Sequence, residues 1–301
     1  MTMQENFNSA TRFMFEELDI RGALVQLSGT WQTMLRERGY PPPVESLLGE
    51  MAAVAALIGG NLKTPGRLTL QAQGSGAVSL LVVDCNEQLQ LRGMAKWRGD
   101  TTPSDATPRQ LLGDGRLLLS LQHDAASQPY QSSVPLTGTS IAEIFEHYLA
   151  QSEQQPARLW LSADSHHAAG MFLQTLPVGS VERPEAEHGD DEGDNDGWNR
   201  VQLLAATLRP GELLLPAAVL LPRIFPEETL RLFEPRPVFH HCPRDEDKVR
   251  GMLATLGRPE IESILAEQSQ IVIRDDICNQ EYRFGTGIVE ELFPSAGKTL
   301  H

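Results

Sequence analysis

The sequence has few cysteines and a shortage of positive charge. Its three cysteines, Cys85, Cys242 and Cys278, are widely spaced. An odd, scattered set does not make the disulfide framework of a small secreted domain, so we expect a reducing compartment. The 25 lysines and arginines are outnumbered by 40 aspartates and glutamates, which gives a net charge of -15. This charge repels nucleic acid and anionic lipid surfaces, so we expect neither as a partner.

Long apolar stretches are also missing. No uninterrupted apolar run reaches the ~18 residues typical of a membrane span, and the longest, Leu213 to Leu221, is broken by Pro216. Residues 1–10 are polar and lack the basic and apolar parts of a secretory signal. We therefore expect a cytoplasmic protein with no membrane partner.

Apolar patterns in residues 1–180 predict a core domain of helices and antiparallel strands. Met51 to Leu62 has the length of a buried helix, and Ser140 to Gln151 places its apolar residues on one helical face. Alternating or apolar stretches between glycine-rich turns predict strands. These stretches are Arg67 to Gln73, Ala77 to Cys85, Gln88 to Trp97, Leu117 to Gln122 and Tyr130 to Leu136. Gly74-Ser75-Gly76 lies between two of them, which favours a hairpin turn over a phosphate loop. The fold class is therefore α+β.

Composition divides the rest of the chain into three segments. Residues 181–197 are strongly acidic, which predicts an extended linker. Residues 198–233 contain short apolar pieces broken by prolines, which predicts a helical linker. Residues 234–301 predict a small C-terminal module with two short helices, at Asp247 to Leu256 and Pro259 to Ala266.

Residue patterns typical of catalysis are missing, and we predict that the protein is not an enzyme. His166 and His167 accompany no GxSxG nucleophile elbow, and the carboxylates of Glu182 to Asp196 lie in a run too flexible for acid–base geometry. The alternative is a small-molecule enzyme on the same core with the tail as a lid, which would need a deep polar pocket with perturbed titrating groups. A regulatory module that binds one folded partner is a further alternative.

His240-His241-Cys242 and the distant Cys278 form a group with metal-binding chemistry. Thiolates and imidazoles are preferred zinc ligands, and a small module with little core of its own often needs a metal to fold. Two cysteines so far apart are nevertheless a weak zinc signal when taken alone.

Ordered strings along nearly the whole chain resemble the thirty-three-kilodalton chaperonin family of redox-regulated bacterial heat-shock holdases. These strings are Arg21-Gly22, Thr30-Trp31, Tyr40-Pro41 and Leu47-Leu48-Gly49-Glu50, then LTLQAQGSGAVSLLVVDCNEQLQLRGMAKW, AAGMFLQTLP and CNQEYRF. The resemblance implies an ATP-independent chaperone that binds unfolding proteins and prevents their aggregation under oxidative or heat stress. It implies unfolded clients as partners and a homodimer, and it requires no catalysis.

The proline-broken segment supplies the candidates for client binding. They are Leu213, Leu214, Leu215, Val219, Leu220, Leu221, Ile224 and Phe225. We expect them to cover the core sheet when the segment is docked and to attract clients when it is released. Ordinary core packing would explain the same apolar residues.

The resemblance also implies a zinc site, which is half lost here. Family members carry Cys-x-Cys and, further on, Cys-x-x-Cys, and these thiolates hold one zinc. Cys242 and Cys278 fall at the first and fourth positions, and Arg244 and Asp275 at the second and third. Family oxidation joins neighbouring cysteines within each pair, ejects the zinc and unfolds the module and linker. Here each pair has lost one cysteine, so the only bridge within the module would join Cys242 to Cys278, and it would require Cα atoms within roughly 7 Å.

Three readings of the altered site stay open. In the first, which we favour, the module binds no zinc, its redox switch is lost or altered, and apolar residues hold it together. Those residues are Val249, Leu253, Leu256, Ile261, Ile264 and Leu265. In the second, Cys242, Cys278 and Asp275 with His240 or His241 form a substitute zinc site. In the third, the two cysteines are small buried hydrophobic residues. We expect activation by heat or unfolding stress, or constitutive activity, with weaker peroxide dependence than in a four-cysteine relative.

Overall fold

The computed structural model describes residues 7–61, 65–99, 106–123, 128–152, 155–177, 180 and 196–294. The chain divides into a first unit, residues 1–241, and a second unit, residues 242–301. Most of the predicted acidic linker, residues 181–195, lies outside the described residues. The mixture of helices with antiparallel sheets confirms the α+β class.

Helices and strands are distributed along the whole described chain. The helices are α1 (Gly29–Leu35), α2 (Pro42–Gly59), α3 (Pro108–Leu112), α4 (Ile141–Ser152), α5 (Gly197–Ala205), α6 (Ala217–Ile224), α7 (Glu246–Leu256), α8 (Arg258–Gln268) and α9 (Ile288–Leu292), with a 3-10 helix at Pro210–Leu214. The strands are β1 (Asn8–Phe15), β2 (Ile20–Leu27), β3 (Gly66–Gly74), β4 (Val78–Asn86), β5 (Gln90–Trp97), β6 (Gly115–His123), β7 (Tyr130–Pro135), β8 (Ala157–Ala163), β9 (Ala168–Thr175), β10 (Leu230–Leu232), β11 (Arg236–Pro237), β12 (Phe239–His240), β13 (Ile271–Asp275) and β14 (Gln280–Phe284).

Two sheets form the first unit. The first sheet has the order β10-β1-β2-β9-β8, with β11 also paired to β1. The second has the order β12-β5-β4-β3-β6-β7, in which β12 runs parallel to β5 and the other pairs are antiparallel. β3 and β4 flank Gly74-Ser75-Gly76 as antiparallel neighbours, so the predicted hairpin is confirmed. Residues 234–241, which the sequence analysis assigned to the C-terminal module, contribute β11 and β12 to these sheets.

Helix α2 lies in the core of the first unit and contacts strands of both sheets. Proline in its first turn suits the helix start, where an amide hydrogen is not needed. Its small residues permit close approach: a Cβ on Gly49 would lie 2.5 Å from the Cβ of Ala163, and one on Gly59 would lie 2.7 Å from the Sγ of Cys85. The helix is long and apolar enough to cross a membrane, but 72% of it is buried within the fold. A core helix covered on both sides has this same composition.

The first sheet is covered on both faces. Alternate residues of β2 point in opposite directions, so Val25 joins the core around α2 while Leu24 joins a second apolar cluster. β9 divides in the same way, with Phe172 on the α2 side and Met171 on the other. This second cluster lies on the outer face of the sheet and includes α5, the 3-10 helix and α6.

The second unit is a small helical module around the β13–β14 hairpin. The two predicted helices are confirmed as α7 and α8. Its core consists of Leu253, Ile261, Leu265, Ile271, Tyr282, Phe284, Ile288 and Val289. Val249 and Ile264 pack partly against this core. Leu256 was also predicted to help hold the module together. This prediction is wrong, because its side chain near the end of α7 is 50% exposed.

Candidate functional site

A proline-broken run of helices covers the outer face of the first sheet. We call α5, the 3-10 helix and α6 the covering segment (residues 197–225). Pro210 begins the 3-10 helix and Pro216 precedes α6, so these two prolines divide it into short pieces as predicted, whereas Pro222 lies within α6. Its buried side chains are Val201, Ala205, Leu213, Leu220, Leu221, Ile224 and Phe225, and they meet Phe13, Phe15, Leu24, Met171 and Leu173 of the sheet. The covering segment therefore hides an apolar sheet face and its own apolar side at the same time.

The predicted client-binding residues lie in this cluster, with one exception. Leu213, Leu220, Leu221, Ile224 and Phe225 are buried, and Leu214 and Leu215 pack partly against the same cluster. The ring of Phe225 meets that of Phe15 edge-on, with centroids 5.2 Å apart. Val219 is 53% exposed on the outer side of α6. Their role toward clients stays a prediction, because buried packing alone does not distinguish a releasable cover from a fixed core.

Gln26 forms the buried polar link between the sheet and the covering segment. This side chain lies in β2 and is only 4% exposed. Its Nε2 donates hydrogen bonds to the carbonyl oxygens of Leu213, at 2.7 Å, and Leu215, at 2.8 Å. The end of a helix leaves carbonyl groups without intrahelical donors, and Gln26 satisfies two of them here. Gln26 is not among the predicted site residues, although a glutamine inside the apolar stretch ALVQL was an available signal.

Polar contacts at the edge of α5 are more exposed. The Arg158 Nε in β8 donates to the Gln202 Oε1 at 2.9 Å, and its Nη1 pairs with the Glu146 Oε2 at 2.7 Å. Half of the Arg158 side chain is exposed, so this pairing contributes little to stability. A cleft of about 500 Å³ opens beside these residues, between α4, β8 and the Trp198 side of α5. The apolar cluster and Gln26 are therefore the main links that hold the covering segment in place.

In the second unit a disulfide joins Cys242 to Cys278. Their Cα atoms are 5.6 Å apart, within the limit expected for a bridge. Cys278 lies in the turn of the β13–β14 hairpin, and both cysteines are half-buried. The reading of the two residues as separate buried hydrophobes is therefore wrong.

The residues at the two altered family positions make contacts within the module. The guanidinium of Arg244 lies 4.5 Å from the ring centroid of Tyr282, and its Nη2 donates to the carbonyl oxygen of Glu281 at 3.1 Å. The Oδ1 of Asp275 accepts hydrogen bonds from the amides of Ile277, at 2.8 Å, and Cys278, at 3.1 Å. Arg244 thus stacks on the hairpin, and Asp275 orders the turn that presents Cys278.

Tyr282 and Gln280 extend this network to the start of the module. The buried Tyr282 hydroxyl accepts from the amide of Asp245 at 3.0 Å and donates to the Oε1 of Gln280 at 3.2 Å. The Nε2 of Gln280 donates to the carbonyl oxygen of Cys242 at 2.7 Å. We call this network the clasp, and its members are Cys242, Arg244, Asp275, Cys278, Gln280 and Tyr282.

The clasp does not offer a tetrahedral zinc site in its disulfide form. Both sulfurs are bonded to each other, and Asp275 accepts backbone amides. Throughout the ranges that the structure describes, no group of three or more histidine, cysteine, aspartate or glutamate residues is placed to hold a metal ion. His240 and His241 belong to the first unit. Burial, together with the nearby charges of Arg38, His241 and Arg36, lowers the pKa of His240 below its ordinary value.

A cleft of about 430 Å³ lies at the N-terminal end of α2, where its lining includes Glu45, Glu50 and Asp164. Burial raises the pKa of Glu50 to about 7, and burial followed by the charge of Asp164 raises that of Glu45. The described lining contains no histidine, cysteine, lysine or arginine, so Glu50 has no basic side chain beside it there. His166 is exposed in the turn between β8 and β9. The cleft is thus a polar pocket whose carboxylates have raised pKa values, the feature that the enzyme alternative requires, but its described lining adds no cysteine or basic side chain to them.

The third cysteine, Cys85, is a core residue of the first unit. It is buried on β4 against Gly59 of α2. Burial raises the pKa of its thiol to about 12. The side chain therefore stays in the thiol form, and since the thiolate is the reactive form of cysteine, Cys85 is unreactive. It packs as a small hydrophobic residue.

Comparisons with known proteins agree along almost the entire chain. The family model described as Hsp33 protein matches residues 8–285. A 33 kDa chaperonin of Pseudomonas aeruginosa is 39% identical over 292 residues, covering 96% of each chain. Another from Methylobacillus flagellatus is 40% identical over 94% of this chain and 93% of its own. One from Chromobacterium violaceum is 41% identical over 94% and 92%.

A solved structure shares the fold. It is the crystal structure of the 33 kDa chaperonin, a heat shock protein 33 homologue, from Thermotoga maritima. The TM-score is 0.76 at 20% sequence identity, and the match covers 95% of this chain and 97% of that one.

Proposed function

Because the chain belongs to the Hsp33 protein family, we propose that this chaperone is an ATP-independent holdase. It binds unfolding proteins and keeps them from aggregating, and it acts in the cytoplasm. The observation that carries the proposal, beside the family, is the apolar sheet face under the covering segment. A client with exposed apolar side chains can replace the covering segment on that face.

The proposed mechanism is a local order–disorder transition. The covering segment consists of short helices, which are marginal when they are undocked. Its release uncovers apolar area on both the sheet and the segment, worth roughly 25 cal/mol per Å² to a bound client. Stress that weakens the docking therefore produces binding surface directly, without nucleotide hydrolysis.

We further propose that heat or unfolding stress is the main trigger. Arg244 and Asp275 cannot form disulfides, so peroxide has no neighbouring cysteine pairs to oxidise in the clasp. Activity that depends strictly on peroxide and is abolished by Cys242→Ser would contradict this trigger.

An aggregation assay without ATP tests the holdase function. A denatured client such as citrate synthase is heated with the protein, and light scattering reports aggregation. Leu220→Ala should lower the temperature at which protection begins, because loss of this fully buried side chain weakens docking by roughly 2–5 kcal/mol. Val219→Ala, on the exposed side of the same helix, is the matched control and should behave like the parent protein.

Two outcomes would contradict the proposal. If the parent protein fails to protect the client under heat, oxidant or reductant, it is not a holdase. If Leu220→Ala only makes the protein itself aggregate, the covering segment is ordinary core. Metal analysis addresses zinc separately: about one equivalent per chain, lost in Cys278→Ser, would favour the substitute zinc site.

A further inference from the structure

In the clasp, Arg244 and Asp275 occupy the two positions where the resemblance implies zinc-binding cysteines. Both residues contact other protein groups instead. Arg244 is held over Tyr282 and hydrogen-bonds to a hairpin carbonyl, and Asp275 accepts amides of its own turn. A fixed guanidinium opposes the approach of a divalent cation. In its disulfide form the module is therefore held by covalent and polar contacts among its own residues.

The disulfide encloses most of the module. It joins Cys242, the first residue of the second unit, to Cys278, 36 positions later. The enclosed ring contains α7, α8 and β13. Cross-linking so long a loop restricts the unfolded chain and thereby favours the folded module. A module with such a small apolar core depends on a staple of this kind.

We propose that the Cys242–Cys278 disulfide is a redox switch of inverted polarity, in which reduction loosens the C-terminal module and oxidation closes it. In a four-cysteine relative, as the resemblance implies, the reduced state is held by zinc and oxidation unfolds the module. Here the reduced state retains two thiols and lacks the other two, so the order that a disulfide supplies is lost on reduction. The oxidised module contains the disulfide and the reduced module does not, so reduction is the change that loosens the module.

A dithiol reductant completes the chemistry. One of its thiolates attacks a cysteine sulfur of the bridge, so that the protein S–S bond breaks and a mixed disulfide forms. Its second sulfur then displaces the protein thiolate, and the reductant leaves as a cyclic disulfide. The two electrons and two protons of the dithiol end on the Cys242 and Cys278 thiols. Both residues are half-buried, so a small dithiol can reach them.

The consequence for clients rests on the proposed holdase function. The resemblance implies that the module and the linker unfold together, so capture should rise under reductant and fall under oxidant. The state of the module itself can be measured without any client.

Hydrogen exchange of the full chain tests the switch. The protein is equilibrated in reduced or oxidised dithiothreitol with a metal chelator, and amide exchange is read by mass spectrometry. Amides of α7, β13 and β14 should exchange faster after reduction, by about tenfold to several hundred-fold for a loop of this length. The double variant Cys242→Ser with Cys278→Ser should exchange at the fast rate in both conditions. Cys85→Ser, outside the clasp, should keep the full difference.

Other results would overturn the switch. Equal protection in both conditions, or greater protection after reduction, would contradict it. So would zinc alone, added to the reduced protein without chelator, if it restored the protection seen in the oxidised protein. Failure to protect a client while the exchange difference persists would contradict the holdase function and leave the switch standing.

Discussion

At the scale of single residues, Gln26 adds buried hydrogen bonds to the apolar contacts between the first sheet and the covering segment. Its amide donates to two carbonyl groups of the covering segment, in a buried hydrogen bond to Leu213 and a part-buried one to Leu215. A buried carbonyl that loses its donor keeps the full cost of desolvation. Gln26 therefore affects docking of the covering segment more than it affects the sheet to which it belongs.

Gln26→Met keeps the volume and removes both hydrogen bonds. We expect the docking of the covering segment to weaken by roughly 1–3 kcal/mol. Hydrogen exchange should show faster opening of the 3-10 helix and α6, and protection of a client should begin at a lower temperature. Gln32→Met is the control, because the Gln32 side chain hydrogen-bonds at the surface. Unchanged exchange in Gln26→Met would show that apolar contacts alone hold the covering segment.

Glu50 predicts a pH dependence of stability. Burial raises its pKa from 4.5 to about 7 in the folded protein. The folded state therefore binds a proton that the unfolded state releases, and the free energy of unfolding falls as pH rises from about 4.5 to about 7. Glu50→Gln removes this loss, so the variant should exceed the parent by up to roughly 3 kcal/mol at pH 8 and match it near pH 4.

Urea unfolding followed by tryptophan fluorescence measures this difference, because Trp31 is fully buried in the same unit. Glu17→Gln, at an exposed carboxylate, is the control. An equal free energy of unfolding for Glu50→Gln and the parent at pH 8 would show that Glu50 is ionised in the folded protein at no cost.

The sequence alone made the cysteine pairing in the clasp predictable, but not the contacts of the other site residues. The spacing of Cys242 and Cys278 identified the one bridge that the module could form, and the Cα separation agrees with it. The contacts of Arg244 and Asp275 were not predictable, because they depend on where the hairpin places Tyr282 and the Cys278 amide. Gln26 was missed because its partners lie 187 and 189 positions away in sequence.

At the scale of elements, apolar alternation and turn residues predicted strands β3 to β7 but not β1, β2, β8 or β9 of the first sheet. β3, β4 and β5 agree with their predicted stretches to within a few residues, because alternation and glycine turns are local signals. The course of α2 was predicted only in part, since its start at Pro42 precedes the apolar run at Met51. The two-sheet arrangement around α2 was not predicted, because pairing such as β2 with β9 joins distant parts of the chain.

The β13–β14 hairpin predicts a further effect. Tyr282→Phe removes the hydroxyl that accepts from Asp245 at the entrance to α7. Because Tyr282 is buried, we expect a loss of roughly 1–2 kcal/mol in the stability of the module. Amide exchange of α7 should accelerate about tenfold, in line with that loss. Tyr130→Phe, at an exposed tyrosine, should leave it unchanged. Equal exchange in Tyr282→Phe would exclude the hydroxyl from holding the clasp.

At the scale of the whole molecule, the acidic composition and the family resemblance each support one prediction. The net charge of -15 predicts that the protein does not bind nucleic acid, which a mobility-shift assay at low salt would check. Homodimerisation, implied by the family resemblance, is a prediction for sedimentation analysis. Composition did not predict that both faces of the first sheet are buried, or that a second apolar cluster lies on its outer face. Both features arise from how distant segments pack.

Client capture by a released covering segment is tested most directly by cross-linking from a buried position. A photoreactive residue replaces Leu220, which is fully buried against the sheet, and a heated client is added before irradiation. We predict cross-links to the client at stress temperature and only to the protein's own chain at rest, while the same probe at the exposed Val219 reports surface encounters. If the client is held in solution while the probe at 220 still reacts only with its own chain, the covering segment has not been released and the proposed mechanism is contradicted.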